Sequence, residues 1–110
     1  IKIKTMQDPK DNLIFSDDMP FKEKDSFWQI IYKKIKKGVE KRHSFSIVFH
    51  LDEVGLDNED GYSIIIRKED YGTFLNNYLL WSEDLERYET CAEVKTLIKE
   101  FEQWTQENIS

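Results

Sequence analysis

Few side chains of this sequence could carry out chemistry, and their spacing does not favour catalysis. His50 and Asp52 point to the same side of a predicted strand and could lie side by side, and Glu53 could join them as a third metal ligand. One imidazole and two carboxylates at this spacing match no metal-binding motif, and we predict no metal site. The single cysteine, Cys91, has no local signature of a nucleophile, and we expect it to pack as a small residue in the first turn of a helix.

Cofactor chemistry has no motif either. The four glycines are isolated from one another in the sequence: Gly38, Gly55, Gly61 and Gly72. A phosphate-binding loop needs clustered glycines, so we predict no cofactor and no catalytic residue. The sequence therefore favours a protein that binds another macromolecule over an enzyme. A small metal-dependent hydrolase or nuclease that uses His50, Asp52 and Glu53 is the alternative from the enzyme class.

Charge is distributed unequally along the 110 residues. The chain carries a net charge of −6, and its isoelectric point is about 4.9. Residues 1–50 contain eleven Lys or Arg and seven Asp or Glu, whereas residues 51–110 contain five and fifteen. The first part is therefore +4 and the second −10. Such asymmetry indicates electrostatic recognition, and the acidic part suits a basic partner.

Two acidic segments follow regular elements, so that they could project from a rigid scaffold. The residues that we predict to bind a partner are Asp52, Glu53, Asp57, Glu59, Asp60, Tyr62, Glu83, Asp84, Glu86 and Tyr88. Clustered carboxylates repel one another, and a basic partner would relieve that repulsion and be steered towards them. Aromatic residues beside charge are common in binding hot spots. The alternative interpretation is two solvated loops whose aromatic residues belong to the core.

A lysine-rich helix is the best argument for nucleic acid as a partner. Its basic residues could contact phosphates: Lys33, Lys34, Lys36, Lys37, Lys41 and Arg42. The acidic isoelectric point and the core spacing of Trp28 and Tyr32 disfavour direct nucleic-acid binding. A nucleic-acid-binding module that uses this lysine-rich helix is the second alternative function.

Periodicity predicts the elements that must position these residues. The predicted strands are 1–5, 13–15, 44–51 and 62–67, and the predicted helices start at Asp25 or Ser26, at Glu69 and at Thr90. Thr90 and Glu93 have the spacing of a capping box. The order ββαββαα predicts one α+β domain over residues 1–110, in which an antiparallel sheet packs against about three helices on one face. No apolar run is long enough to span a membrane, and a single cysteine fits a reducing cytoplasm.

The second half of the chain resembles bacterial toxin-immunity proteins of the contact-dependent growth inhibition type. The stretches that carry the resemblance are residues 61–71, 74–81 and 88–94, which belong to a compact acidic α+β chain with aromatic-rich helices and no catalytic motif. The resemblance implies a cytoplasmic antidote that binds a toxic domain, often a basic nuclease, and blocks its active site. The acidic segments would then take the place of phosphates.

Overall fold

Three helices and three strands make up the part of the chain that the computed structural model describes, which is residues 2–5, 20–51 and 62–107. The elements in chain order are β1 (Lys2–Thr5), α1 (Phe21–Glu40), β2 (Phe45–Leu51), β3 (Tyr62–Arg67), α2 (Lys68–Asp84) and α3 (Tyr88–Glu107). The α+β class predicted from the sequence is confirmed. The predicted strand 13–15 lies outside the described residues and stays a prediction.

Helix α1 buries apolar residues at helical spacing but begins earlier than predicted. Trp28, Ile31, Ile35 and Val39 are buried on one side of it. The helix starts directly after Pro20, whose φ of −58° suits the residue before a first turn. The prediction that Asp25 or Ser26 caps this helix is therefore wrong.

Helices α2 and α3 are separated by only three residues, so the predicted acidic break is shorter than expected. Helix α2 runs on to Asp84, and α3 begins at Tyr88. The predicted capping box is wrong, because Thr90 lies inside α3. The Glu93 carboxylate instead accepts hydrogen bonds from Tyr32 and Lys36, each at 2.8 Å.

The sheet has the order β1-β3-β2 and is mixed. Strands β2 and β3 pair antiparallel, as predicted, whereas β1 pairs parallel with β3. The prediction of a wholly antiparallel sheet is wrong at β1, because α1 and β2 intervene in the chain and bring β3 back in the direction of β1. Strand β2 forms one edge of the described sheet, and its register shifts between Ile47 and Phe49.

Helices α1 and α2 pack on one face of the sheet, and α3 packs against these two helices. Ser46 and Val48 of β2 and Ile64 and Ile66 of β3 are buried on the helix side. Phe45 and Ile47 point to the opposite face and are 48% and 51% exposed. The more apolar side of β2 at its start is therefore the side that the helices leave open.

Stacked aromatic rings join α1 to α2. The Trp28 ring lies 5.6 Å from Phe74, 6.0 Å from Tyr78 and 5.5 Å from Trp81, measured between centroids. Tyr32 stacks on Tyr78 at 4.5 Å. Because aromatic pairs add to the free energy gained from burial, this stack fixes the end of α2 against the start of α1.

Candidate protein-binding surface

The turn between α2 and α3 is the acidic segment that the structure describes, and we call residues 83–89 the acidic turn. Its backbone closes by two hydrogen bonds, from Arg87 N–H to the Ser82 carbonyl at 2.9 Å and from Glu86 N–H to the Glu83 carbonyl at 3.0 Å. This is a Schellman arrangement, in which the residue after the helix adopts a left-handed conformation. Glu86 occupies that position with a φ of 57°.

Exposed side chains cover this turn. Glu83, Asp84 and Glu86 are exposed, and Tyr88 is 70% exposed. Leu80, three residues before Glu83 on α2, is 59% exposed. Carboxylates with a neighbouring exposed phenol and leucine combine electrostatic attraction with apolar contact area, as binding surfaces do.

The one cation of the turn is held by α1. The Arg87 guanidinium donates to both oxygens of Asp25, from Nη1 to Oδ1 at 2.7 Å and from Nη2 to Oδ2 at 2.9 Å. Trp81 Nε1 and Gln29 Nε2 donate to the same carboxylate at 3.0 and 2.9 Å. The Arg87 hydrogen bonds hold the pKa of Asp25 below its ordinary value, against the opposite effect of burial. We call this arrangement the Asp25–Arg87 clamp.

The clamp leaves the carboxylates of the acidic turn without a cation. Arg87 is the nearest positive charge in the sequence, but both terminal nitrogens of its guanidinium group already donate to the Asp25 carboxylate. Glu83, Asp84 and Glu86 form no ion pair with any side chain of the described ranges. They are also not engaged by the described lysines of α1, of which Lys36 pairs with Glu93. The negative charge of the turn is therefore available to a partner.

Three carboxylates occupy positions where folding does not favour them. Glu83 and Asp84 lie in the last turn of α2, where the helix dipole disfavours negative charge and where no basic residue is present. Glu86 takes the left-handed position that glycine occupies most readily, at a conformational cost of about 1 kcal/mol. A sequence optimised only for stability would place lysine and glycine here. This pattern favours a role outside folding.

The other predicted binding residues lie between 52 and 62. Residues 52–61, with Asp52, Glu53, Asp57, Glu59 and Asp60, lie outside the described residues. Tyr62 begins β3, and its side chain lies outside them as well. Their membership of a binding surface stays a prediction, and so does the hydrolase alternative at His50, Asp52 and Glu53.

Three further residues that the sequence offered as candidates are buried: Cys91, Trp28 and Tyr32. Cys91 is 5% exposed in the first turn of α3, as expected of a packed residue. Trp28 and Tyr32 belong to the core and offer no stacking surface to bases beside the lysines. Within the described ranges, no three His, Cys, Asp or Glu side chains cluster closely enough to hold a metal ion. None of the described helices combines the length and hydropathy needed to cross a membrane.

Sequence reasoning missed the clamp. The sequence predicts Asp25 as a helix cap and assigns no role to Arg87. The two residues are 62 positions apart, so no local pattern joins them.

Comparisons with family models, with curated proteins and with solved structures found no match to this chain.

Proposed function

We propose that this chain is an immunity protein or inhibitor that binds a basic protein domain, such as a toxic nuclease, and neutralises it through the acidic turn. The observation that supports the proposal most is the placement of Glu83, Asp84 and Glu86. They are exposed and unpaired among the described residues, and they occupy positions where they do not help the fold. Selection for binding gives a reason for their presence.

In this proposal the carboxylates substitute for the phosphates that a nuclease would bind. A basic active site attracts a cluster of negative charge at long range, which accelerates association at low ionic strength. Tyr88 and Leu80 then supply apolar contact once the surfaces meet. Because the Asp25–Arg87 clamp and the aromatic stack hold the turn rigidly, binding would cost little conformational entropy. The acidic residues at 52–60 are proposed to contact the partner as well.

We propose the cytoplasm as the site of action, because an antidote must meet its toxin where the nucleic acid is. The unpaired thiol of the buried Cys91 is compatible with a reducing compartment.

Charge reversal with a matched control tests the proposal. The partner for the assay is the purified product of the gene that adjoins the one for this chain, assayed as a nuclease on a labelled nucleic acid. The test variant is Glu83→Lys/Glu86→Lys, and the control is Glu40→Lys/Glu102→Lys, which changes net charge equally at exposed positions elsewhere. We expect the test variant to weaken inhibition about tenfold or more and the control to change it little.

The test variant should fold at least as stably as the natural protein. Lysine at position 83 suits the C-terminal end of α2, so loss of binding could not be ascribed to unfolding. Equal inhibition by the test variant and the natural chain would exclude the acidic turn from the interface. Failure of the natural chain to bind this product or inhibit its activity would count against the immunity function with that partner.

A further inference from the structure

A second surface, at the opposite end of α1 from the acidic turn, has the opposite charge. An open groove of about 580 Å³ lies between the C-terminal half of α1 and the start of β2. The side chains that line it include Lys34, Lys37, Arg42, His43, Phe45 and Ile47. We call it the cationic edge groove. Lys37 is twelve residues from Asp25 along α1, or about 18 Å, so the groove is distinct from the acidic turn.

The cations of this groove are exposed. Lys34 and Lys37 form no ion pair with any side chain of the described ranges. Arg42 is partly engaged, since its guanidinium contacts Glu107 at 3.3 Å and lies 5.6 Å from the centre of the Trp104 ring. Arg42 has a φ of 60° in the left-handed position after α1, where glycine would be less strained. The groove thus keeps a charged residue at a conformational cost, as the acidic turn does.

The backbone of β2 offers hydrogen bonds to this groove. Lys68 N–H donates to the Ser44 carbonyl at 2.8 Å, and Phe45 stands opposite Arg67 in the antiparallel ladder. In such a ladder the hydrogen-bonded and non-hydrogen-bonded pairs alternate, so Phe45–Arg67 is a non-hydrogen-bonded pair. The N–H and carbonyl of Phe45 therefore point away from β3. No strand of the described chain pairs along that side of β2.

The two sides of the groove differ in chemistry, and they determine which side chains a bound peptide would carry at alternate positions. A strand added beside β2 would alternate its side chains between the open face of the sheet and the helix side. On the open face they would meet the exposed apolar surfaces of Phe45 and Ile47. On the helix side they would meet the ammonium groups of Lys34 and Lys37. Apolar residues suit the first set of positions, and carboxylates suit the second.

We infer that the cationic edge groove binds an extended peptide segment of alternating apolar and acidic residues, which adds as a strand to the edge of β2. Main-chain hydrogen bonds to Phe45 provide the pairing, and the two lysines select for acidic side chains. This inference concerns a different surface from the acidic turn and does not depend on the proposed function.

A fluorescently labelled peptide of alternating glutamate and valine is the probe, and fluorescence anisotropy with the full chain measures its binding. A peptide of the same composition, with its glutamates and valines in separate blocks, tests whether alternation matters. We expect the alternating peptide to bind at least about tenfold more tightly than the block peptide. We also expect affinity to fall with added salt, because the lysines are exposed.

Variants of the chain test separately how the lysine charges and the Phe45 backbone N–H contribute to peptide binding. Lys34→Glu/Lys37→Glu should weaken binding about tenfold or more, whereas Lys95→Glu/Lys99→Glu, at exposed positions of α3, should change it little. Phe45→Pro removes the outward N–H at an edge position where proline is tolerated, and it should weaken binding more than Phe45→Val does. Circular dichroism checks that each variant retains its fold.

Several results would overturn the inference. Equal affinity for the two peptides would mean that charge alone attracts them. Unchanged binding by the Lys34/Lys37 variant would place the peptide elsewhere. Tighter binding of a single-stranded oligonucleotide than of the alternating peptide would identify the surface as a nucleic-acid site instead. No binding of the alternating peptide to the folded chain at low salt would reject the groove as a peptide site.

Discussion

Replacing Asp25 by asparagine should destabilise the protein by about 2 kcal/mol. The Asp25 side chain is 13% exposed and accepts from Arg87, Trp81 and Gln29. Asparagine retains one acceptor but loses the charge, and its amide nitrogen faces other donors. Hydrogen bonds to charged groups contribute about 1.5–3 kcal/mol each, and we reduce their sum to about 2 kcal/mol because Arg87 is 34% exposed and water screens it.

Urea denaturation is the suitable assay, since urea does not screen charge as guanidinium salts do. A loss of about 2 kcal/mol corresponds to a fall in Tm of about 10 °C for a domain of this size. A cycle with Arg87→Gln isolates the coupling between the two side chains, for which we expect about 1–2 kcal/mol. The matched control is Asp84→Asn, a carboxylate without a described ion pair, which should change stability by less than about 0.5 kcal/mol.

The loss of stability caused by Asp25→Asn should also depend on pH, and the pKa of Asp25 determines the direction of that dependence. The hydrogen bonds from Arg87 lower the pKa of Asp25 in the folded protein below the ordinary value of 3.8. Its contribution to stability is therefore complete above the unfolded-state pKa and is lost as pH falls through the lower folded-state pKa. The difference between the natural chain and Asp25→Asn should be full at neutral pH and should shrink in acid. A loss below about 0.5 kcal/mol at neutral pH would refute the role of the clamp.

Two further predictions concern the core. Gly38→Ala should lower the free energy of unfolding by about 2 kcal/mol despite the better helix propensity of alanine, because its Cβ would lie 2.7 Å from the buried Tyr71 hydroxyl. The matched substitution Gly72→Ala should lower the free energy of unfolding far less, because its Cβ would meet only the edge of the Phe101 ring. Thermal unfolding compares the two variants, and an equal loss of stability in both would contradict this reasoning. Burial raises the pKa of Tyr32, Tyr71 and Tyr78 above the ordinary 10.0. Their contribution to the free energy of unfolding is therefore complete below pH 10 and is lost as the pH rises further, because tyrosines ionise first in the unfolded chain. Tm followed by circular dichroism should fall above about pH 10, and near-ultraviolet absorbance that reported ionisation of all tyrosines near pH 10 without unfolding would exclude this burial effect.

The sequence predicted the helices well where apolar residues form a continuous stripe along one side of the helix. Trp28, Ile31, Ile35 and Val39 recur at helical spacing, and all four are buried on α1. The helix ends were predicted less well, because capping patterns are short and other contacts can replace them. Asp25 has the side chain of a helix cap, but it binds Arg87 across the molecule instead.

The candidate site was predicted in part. Glu83, Asp84, Glu86 and Tyr88 stood out as a charged segment with an aromatic neighbour, and all four are exposed. Their exposure follows from polarity alone. Their lack of a described counter-charge does not, because it depends on a guanidinium that is held by a residue of another helix.

Local sequence determined the kinds of element in this protein, the antiparallel pairing of β2 with β3 and the concentration of negative charge in the second half. These properties follow from the spacing of residues within an element or from the few residues between consecutive elements, and both can be read from the sequence. Tertiary structure decided that β1 runs parallel to β3, that the helices cover the Ser46 side of β2, and that Arg87 is occupied by Asp25. These properties depend on contacts between residues far apart in the chain, and such contacts form only when the elements pack together.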